Sequence, residues 1–471
     1  IGVRLVGSEM CIRDRPRAKP FANDDTWDYI GCNLALWEGY RQNQNTYFPA
    51  GSYVMNAYST TPKGSYQGLL IMKGMEQAIT GAGTYEVTIG WKEDANFFAS
   101  NNYGVENYYK LCTFYRIGGP PTNISNICFT GPFNYDSEGK NITCIYCANI
   151  NGVTFRELWL TACEYGIYAF DNSGDSHISR TTAEYCFGAT IYTDTGSEIS
   201  VDFCNFWAST SAVPRQKGVW GIGRISVTNS RLIDFRGGAI IGASGIISNN
   251  YSTLTSSSAN QFTLLSNGLI NNNQIYGTPA GANISVQSNV SIVGNYIKND
   301  TNHAIINVGD GTAGSAQHIV ITGNTFIKTN TAAEPQNYAI VAPQNNVGYT
   351  QAATNTMIVS NNTFQGRALT YVGAATFMNN TFDDSIVPGN VNSRGDVSGA
   401  LTTTGTGGAS FTITVSGLIG QGSGGTRDTR RITILNVYSN CSGHEVRGVA
   451  IYTNNYQGFA TLLGTLGKEE L

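Results

Sequence analysis

An asparagine recurs along the second half of the chain inside a short pattern of β-branched and aromatic residues. The stretch "ITGNTF" (321–326) has the relatives "VSNNTF" (359–364) and "FMNNTF" (377–382), and three looser relatives precede it. The fourth residue of each stretch is the same: Asn250, Asn273, Asn295, Asn324, Asn362 and Asn380. The intervals are 23, 22, 29, 38 and 18 residues. A repeat of this length predicts a stack of equivalent structural units.

Each repeat contains short strands and no helical periodicity. In "HIVITGNTFIK" the residues predicted to point inward are Ile319, Ile321 and Phe326, with polar residues between them. The leucine spacing of leucine-rich repeats is absent, and a propeller blade needs about 40 residues. We therefore expect an all-β protein, a right-handed single-stranded parallel β-helix with several short strands per turn.

The repeated asparagine is predicted to lie at a buried bend between two strands. Its side chain offers two donors and an acceptor, so successive amides can hydrogen-bond to one another between coils. Asparagine also tolerates the left-handed backbone conformation that such a bend requires. Earlier coils place Leu158, Cys204 and Ser230 at the corresponding position.

The strand register around "HISRTTAEYC" has two solutions. In one solution, the tripeptide His177-Ile-Ser aligns with Glu198-Ile-Ser and Arg224-Ile-Ser, and Arg180 then points towards the core. The other is shifted by two residues, which frees Arg180 and stacks Cys163 on Cys186. The sequence leaves both open.

Charge and cysteine content exclude several function classes. Only 13% of the 471 residues are charged and the net charge is −4. There is no basic stripe and no apolar run of membrane length, so we expect neither nucleic acid nor a membrane as partner. The pair Cys144 and Cys147 lacks the second pair or the histidines of a zinc site. We predict buried structural thiols, no metal and no cofactor.

Composition also divides the chain. Residues 1–15 resemble translated sequencing adapter, as in metagenomic reads, and we expect them to be non-native. Residues 16–60 are predicted as an N-terminal cap with the first strand, and 61–390 as the β-helix. Residues 391–408 are predicted as a linker, and 409–471 as a small antiparallel β unit. The sequence leaves open whether that unit is truncated.

A family resemblance lies in the segments "ANDDTWDYIGCNLALWEGY" (22–40) and "QNTYFPAGSYVM" (44–55). They resemble the N-terminal cap of pectate-lyase-like β-helix proteins, in which D-D-T opens a capping helix and Y-F-P-A-G-x-Y begins the first coil. The resemblance covers residues 22–385 and implies Asp25 or Thr26 as the helix N-cap. The family includes rhamnogalacturonase and epimerase-like proteins, pectate lyases and bacteriophage tailspikes.

The resemblance implies a polysaccharide partner, a place on a virion tail or outside the cell, and, for a tailspike, a homotrimer. It does not supply catalytic residues. The chain has no G-H-G motif and no R-x-x-P-x-x-R motif, and Arg215-Gln-Lys217 alone matches the R-x-K pattern of polygalacturonases.

The early coils carry the features of a binding site. Residues 132–240 contain eleven acids, whereas 241–380 contain three. Strand alternation points Tyr168, Tyr192 and Trp220 outward on three successive coils, about 4.8 Å apart. Sugar rings stack on such a stripe through their apolar faces. The alternative is that the stripe packs under a loop or a neighbouring subunit.

Acidic residues beside the stripe are candidates for glycoside hydrolysis, which needs a carboxylic acid and a second carboxylate. We predict Asp171, Asp175, Asp194 and Glu198 in these roles, with His177 and Arg180 binding an acidic sugar. Glu157, Glu184 and Asp202 are further candidates in the same coils. The alternative is that these acids are ordinary solvated turn residues.

Three functions remain open. In the first, the chain is a tailspike-like protein that binds a surface polysaccharide, with or without depolymerising it. Alternatively it is a structural or adhesive β-helix without catalysis. A third reading is a secreted bacterial polysaccharide hydrolase or lyase.

Overall fold

Three parallel sheets, here named A, B and C, wind around one axis in a computed structural model. The structure describes these residues: 5–6, 9–11, 24–55, 69–72, 78–91, 109–115, 122–131, 142–148, 152–170, 176–194, 197–208, 216–255, 259–277, 279–301, 303–309, 318–329, 338–342, 356–366, 369–372, 376–378, 380–382, 397–398, 432–434, 440–441, 444–445, 449–454 and 460–466. Each turn of the chain adds a strand to sheet A, then to B, then to C, parallel to the strand one turn earlier. The predicted parallel β-helix is confirmed.

Short β-branched stretches separated by bends form these strands. Sheet A contains Glu9–Cys11, Asn45–Phe48, Ala78–Gly81, Asn123–Ser125, Thr154–Arg156, Ser176–Ser179, Glu198–Asp202, Arg224–Thr228, Ser244–Ser248, His318–Thr322, Thr356–Ser360, Thr376–Met378 and Val397–Ser398, with Leu5–Val6 antiparallel at its edge. Sheet B contains Gly51–Met55, Val87–Trp91, Cys128–Thr130, Asn205–Trp207, Arg231–Ile233, Tyr251–Leu254, Gln274–Gly277, Tyr296–Asn299, Thr325–Lys328, Thr363–Gly366 and Thr381–Phe382. Sheet C contains Leu69–Met72, Tyr109–Tyr115, Ile142–Ala148, Lys217–Gly221, Ile240–Gly242, Ile306–Val308, Tyr338–Ala342 and Leu369–Val372.

Four longer strands continue from one sheet into the next. Trp159–Phe170 and Thr182–Thr193 run through B and C, whereas Phe262–Asn271 and Ile284–Val293 run from C into A. Inward residues alternate with outward ones, as in His318–Thr322 and Thr325–Lys328, where Ile319, Ile321 and Phe326 are buried as predicted.

The register around Arg180 is the shifted one. His177 pairs with Ser200 and Cys163 with Cys186. The two sulfur atoms lie 3.5 Å apart and both side chains are buried. The Arg180 side chain is exposed, because the other register would have placed its charge in the core.

The predicted asparagine ladder is present at the bend between sheets A and B. Asn295 Oδ1 accepts from the backbone N–H and from Nδ2 of Asn273, both at 2.9 Å. Asn295 Nδ2 donates to Asn324 Oδ1 and to the carbonyl of Ile270, again at 2.9 Å. The same bonds repeat from Asn250 to Asn380, so every buried amide between them is saturated.

The left-handed residue of the bend is not the ladder asparagine, and that prediction is wrong. It is the residue before it: Asn249, Asn272 and Asn361 have φ of 56°, 55° and 55°, and two glycines serve the coils between them. In the earlier coils Glu157 and Arg180 hold this conformation. An amide in the left-handed position would point away from the stack, so the bend uses one residue for the turn and the next for the ladder.

The asparagine ladder ends at Ser230, and the earlier coils have other side chains at this bend. Asn250 Oδ1 accepts from the backbone N–H of Ser230, and Ser230 Oγ accepts from the N–H of Cys204 at 3.0 Å. Cys204 and Leu158 occupy the bend as predicted, with Thr181 between them. These side chains are small or apolar and make few side-chain hydrogen bonds.

A second buried polar chain lies inside the later coils. Gln261 donates to Ser252, Asn283 to Gln261 and Asn299 to Asn283, at 2.7, 3.1 and 2.6 Å. Lys328 closes the chain, with Nζ 3.3 Å from Asn299 Oδ1.

Lys328 is an inward-facing cation that is 1% exposed. Its Nζ also donates to the carbonyls of Thr301 and His303, at 3.0 and 2.5 Å. Burial lowers the pKa of Lys328 to about 7. The three oxygens stabilise the ammonium form at this otherwise unfavourable place.

The first coil is capped by a helix, α1 (Asp24–Arg41), whose Cys32 and Leu36 join the core of the coils. The helix begins at Asp24, so the D-D-T motif of Asp24, Asp25 and Thr26 opens it. No helix in the described ranges is long and apolar enough to cross a membrane.

The Y-F-P-A-G-x-Y motif forms the first A-to-B bend. Phe48 ends the A strand, and Tyr53 in the B strand packs edge-on against it with ring centroids 5.3 Å apart. The Tyr53 hydroxyl donates to the Pro49 carbonyl at 2.9 Å. The aromatic and proline positions of the motif therefore hold the first bend together.

The two ends of the chain also contain strands. Leu5–Val6 and Glu9–Cys11 form a hairpin whose second strand pairs with Asn45–Phe48, within the segment predicted to be non-native. Val397–Ser398 extends sheet A into the predicted linker. Near the C-terminus, Ile432–Ile434, Val449–Asn454 and Ala460–Leu466 form an antiparallel sheet, and Asn440–Cys441 pairs with His444–Glu445.

Candidate functional site on the early coils

The predicted aromatic stripe is present on the outer side of sheet C. Tyr168 pairs in register with Tyr192, and Tyr192 with Trp220. The ring centroids of these two pairs are 4.6 and 4.7 Å apart. Tyr146 extends the stack by one coil, 5.7 Å from Tyr168, and Tyr165 packs edge-on against Tyr168.

Sequence reasoning missed Tyr146 and Tyr165. The signal for Tyr146 was available, because it alternates between inward Ile145 and Cys147 in the same way as Tyr168 does between its neighbours. Tyr165 lies where the strand Trp159–Phe170 passes from sheet B to sheet C, and its pairing with Thr182–Thr193 is irregular there. At such a place alternation does not predict the side of the sheet.

The stack is mostly buried although it lies outside the coil core. Tyr168 is 6% exposed and Tyr192 9%, and with Tyr146, Tyr165 and Ala189 they form an apolar cluster separate from the core. Trp220, at the end of the stack, is half-buried, and Lys217 Nζ lies 3.0 Å from its ring centroid. The stack is thus largely covered, and Trp220 is its accessible end.

Asp194 is the predicted acid that the structure brings to the stack. It follows the C strand that carries Tyr192, and its backbone N–H donates to the Ala169 carbonyl at 2.9 Å. Burial, above all, raises the pKa of the Tyr168 and Tyr192 hydroxyls, and the Asp194 charge acts in the same direction. A half-buried carboxylate beside two neutral phenols can hold the hydroxyls of a sugar or exchange a proton with it.

The other predicted acids are less closely placed. Glu198 begins the next A strand, after a turn closed by Ser197 N–H on the Asp194 carbonyl at 3.1 Å. Its exposed carboxylate lies 3.4 Å from Arg224 Nη1, so it is an ion-paired surface group. Asp171 and Asp175 lie outside the described residues.

The predicted sugar-binding cation and histidine lie on sheet A and at its far bend. His177 Nδ1 is 2.8 Å from Ser200 Oγ on the next coil. Arg180 lies past the end of that strand, with Nη1 3.4 Å from Glu157 Oε1. Sheet A therefore separates Arg180 from Asp194, and the structure does not bring the whole predicted set into one cluster.

The remaining acids have different environments. Thr228 and Asn229 donate to Asp202 Oδ1 at 2.6 and 2.8 Å. Glu157 is paired with Arg156 and Arg180. Glu184, half-buried on sheet B, has a pKa raised by burial. Among the described residues, no group of three or more His, Cys, Asp or Glu side chains could hold a metal ion.

The chain was compared with known proteins and solved structures, and the similarities concern its fold. No family model and no curated protein matches the chain. The tailspike protein of E. coli bacteriophage HK620, solved in complex with a pentasaccharide, is similar at 13% identity and a TM-score of 0.54. The match covers 95% of this chain and 84% of the tailspike. The chain shares its parallel β-helix fold.

Other parallel β-helix structures are similar at lower TM-scores. The A-module of mannuronan C-5 epimerase AlgE4 from Azotobacter vinelandii matches at 14% identity, over 73% of this chain and 91% of its own, with a TM-score of 0.45. The catalytic domain of a GH87 alpha-1,3-glucanase, in complex with tetrasaccharides, matches at 14% identity, over 85% and 69%, with a TM-score of 0.43.

Proposed function

We propose that this β-helix binds a surface polysaccharide at Trp220 and Asp194 on the early coils. The observation that supports this is the end of the aromatic stack. Trp220 presents a half-buried ring with a cation over it, and Asp194 lies beside the phenols of the same stack. An apolar face for a pyranose ring and a carboxylate for its hydroxyls are what a saccharide site requires.

Cleavage is the second part of the proposal. Asp194 is the proposed acid or base, and Asp171 and Asp175, with Glu198, are the proposed second carboxylates of a hydrolase. A hydrolysis step would transfer a proton to the leaving glycosidic oxygen and add water at the anomeric carbon. In a polysaccharide lyase the same acids would serve proton abstraction beside a uronate carboxyl group.

The proposed setting is a tailspike-like homotrimer on a virion tail or outside the cell. It is supported by the similarity in fold to the HK620 tailspike over most of both chains. Sedimentation of the full chain tests the assembly, and a monomer would favour a secreted enzyme.

A structural or adhesive role is favoured by one observation, the burial of Tyr168 and Tyr192. Rings that are already covered contribute to stability and need no sugar. In that case substitution of Trp220 would change stability and leave glycan binding unaffected.

The experiment measures reducing ends and absorbance near 235 nm across a panel of acidic and neutral polysaccharides, with a pull-down on the same glycans. Asp194→Asn should abolish product formation while Trp220→Ala should weaken retention about tenfold. The matched control is Asp300→Asn, an exposed acid of the later coils. Equal activity in all variants would refute the site; product at 235 nm would identify a lyase.

A further inference from the structure

The outer side of sheet B carries a second aromatic surface. Its outward positions are the first and third residues of each B strand, and they align from coil to coil. On the strands from Arg231–Ile233 to Tyr296–Asn299 they include Arg231, Tyr251, Tyr276, Tyr296 and Lys298. Two of these residues are cations and none is an acid.

Three tyrosines form the centre of this surface, which we name the sheet B patch: Arg231, Tyr251, Tyr276, Tyr296 and Lys298. The rings of Tyr251 and Tyr276 are 5.6 Å apart, and those of Tyr276 and Tyr296 are 5.7 Å apart. All three side chains are half-buried, unlike the covered tyrosines of sheet C. The patch therefore presents partly exposed rings on three successive coils.

The cations lie at the two ends of this row. The Arg231 guanidinium is 5.7 Å from the Tyr251 ring centroid and makes no ion pair with a described carboxylate. Lys298 lies on the same coil as Tyr296 and reaches Asp300 Oδ1 only at 4.0 Å. Burial, followed by the neighbouring phenols, raises the pKa of Tyr276. The five residues of the patch carry two cations, and Asp300 lies beside Lys298.

We propose that the sheet B patch binds a polysaccharide whose sugar units carry carboxylates. The chain lies along the helix axis with its apolar ring faces on Tyr251, Tyr276 and Tyr296. Its carboxylates face Arg231 and Lys298. This surface is separate from the Trp220 site, and it would be present whether or not that site cleaves anything.

The pattern of the patch favours a saccharide over a protein partner. The residue paired with each tyrosine on the next coil is polar: Gln274 with Tyr251, Lys298 with Tyr276 and Thr325 with Tyr296. A protein interface would present a contiguous apolar centre. Coils repeat every ~4.8 Å, which is comparable to the length of one sugar unit in an extended chain, so successive units meet successive coils.

The test uses the full chain and two probes with the same backbone: polygalacturonate, and polygalacturonate with its carboxyl groups methyl-esterified. Binding is measured by affinity electrophoresis at low and high salt. We expect polygalacturonate to bind, and a Tyr251→Ala, Tyr296→Ala double variant to bind about tenfold more weakly. Arg231→Gln should weaken binding about threefold for polygalacturonate and leave the esterified chain unchanged.

Two controls keep the test sharp. A Thr325→Ala, Thr363→Ala double variant alters the same face without its rings or charges, and should bind as the wild type does. Trp220→Ala separates this patch from the sheet C site. Circular dichroism of each variant confirms folding, which half-exposed tyrosines should permit.

Three results would overturn the proposal. Polygalacturonate does not bind, or it binds equally to the tyrosine double variant, or the loss appears only in Trp220→Ala. Preferential binding of single-stranded DNA over the polysaccharide would assign the aromatic and cationic surface to a different ligand, and would also refute it.

Discussion

The same bend between sheets A and B is built differently in the two halves of the β-helix. In the later coils each bend carries a buried asparagine whose side chain makes three to five hydrogen bonds, five of them at Asn295. In the earlier coils the position holds Leu158, Thr181, Cys204 or Ser230. The backbone bonds between coils are the same, with Thr182 N–H on the Leu158 carbonyl and Thr325 N–H on that of Asn295.

This comparison shows that the backbone hydrogen bonds between coils are required for the fold, whereas the asparagine side chains add stability to it. Because the backbone ladder is continuous through both halves, a coil can form without a side-chain amide at the bend. The asparagines add a second, saturated ladder to the later coils. The earlier coils, which carry the sheet C site, have packing by thiols and aromatic rings instead.

Loss of one asparagine should have the largest effect. Asn295→Ala leaves the backbone N–H and Nδ2 of Asn273 without an acceptor and Asn324 with one donor fewer. We expect a decrease of about 4 kcal/mol in the free energy of unfolding, since each buried unsatisfied group costs about 1–3 kcal/mol. Thr181→Ala removes one hydrogen bond, to the Ser179 carbonyl, and should cost about 1 kcal/mol. Urea unfolding measures both, and equal losses would contradict the comparison.

The two aromatic surfaces should differ in the same measurement. Tyr192 is 9% exposed between Tyr168 and Trp220, so Tyr192→Ala creates a cavity and should cost about 3 kcal/mol. Tyr251→Ala removes a half-exposed ring and should cost about 1 kcal/mol or less. A large loss at Tyr251 would show that the sheet B patch serves packing.

The pH dependence of stability should differ between the halves. The pKa of Lys328 is about 7 in the folded protein and 10.5 for an ordinary lysine, so between these pH values the unfolded chain binds more protons. The free energy of unfolding from this group therefore rises with pH across that window, by about 1 kcal/mol per unit at most, and is lost on acidification. Lys328→Met should remove the rise.

The thiols of the early coils act in the opposite direction. Burial raises the pKa of Cys128 and of Cys204 to about 12, from 9.0. Their contribution to stability is present below pH 9 and is lost as pH rises above it. The wild type and the Lys328→Met variant both contain these thiols. The difference between their free energies of unfolding, measured from pH 6 to 9, therefore isolates the contribution of the lysine. Parallel profiles would show that Lys328 keeps its ordinary pKa.

Extension of the ladder by one coil should have the smallest effect. Asn250 Oδ1 accepts from the Ser230 backbone and has a second lone pair. Ser230→Asn places a donor there and should raise the free energy of unfolding by about 1 kcal/mol. Ser230→Leu, which matches the apolar bend at Leu158, is the control and should give no such gain. A loss of stability with both substitutions would mean that the early bend has no room for a larger side chain.

The repeat made the fold predictable, because Asn250 to Asn380 recur with inward residues at fixed offsets. The stripe of Tyr168, Tyr192 and Trp220 followed from alternation alone. Its burial did not, since a strand pattern gives the side of the sheet but not what covers it.

Two other features depend on relations between coils. The strand register at Arg180 is the one that keeps the Arg180 charge out of the core. It can be determined only once the neighbouring strands are in place. The wide separation of Arg180 and Asp194 arises because sheet A lies between them. A list of acids within one stretch of sequence gives no distance across a sheet.

The asparagine ladder limits where the later coils can gain or lose residues. Successive asparagines bond directly across sequence separations of 22, 29, 38 and 18 residues, with the same atoms and nearly the same distances. The A-to-B bend uses two residues in every coil of the asparagine ladder, so the differences in length among these coils fall elsewhere. Within the ladder coils, insertions and deletions are therefore expected at the other two corners. The coil of Ala78–Gly81 and Val87–Trp91, which has no ladder asparagine, has five residues at this bend.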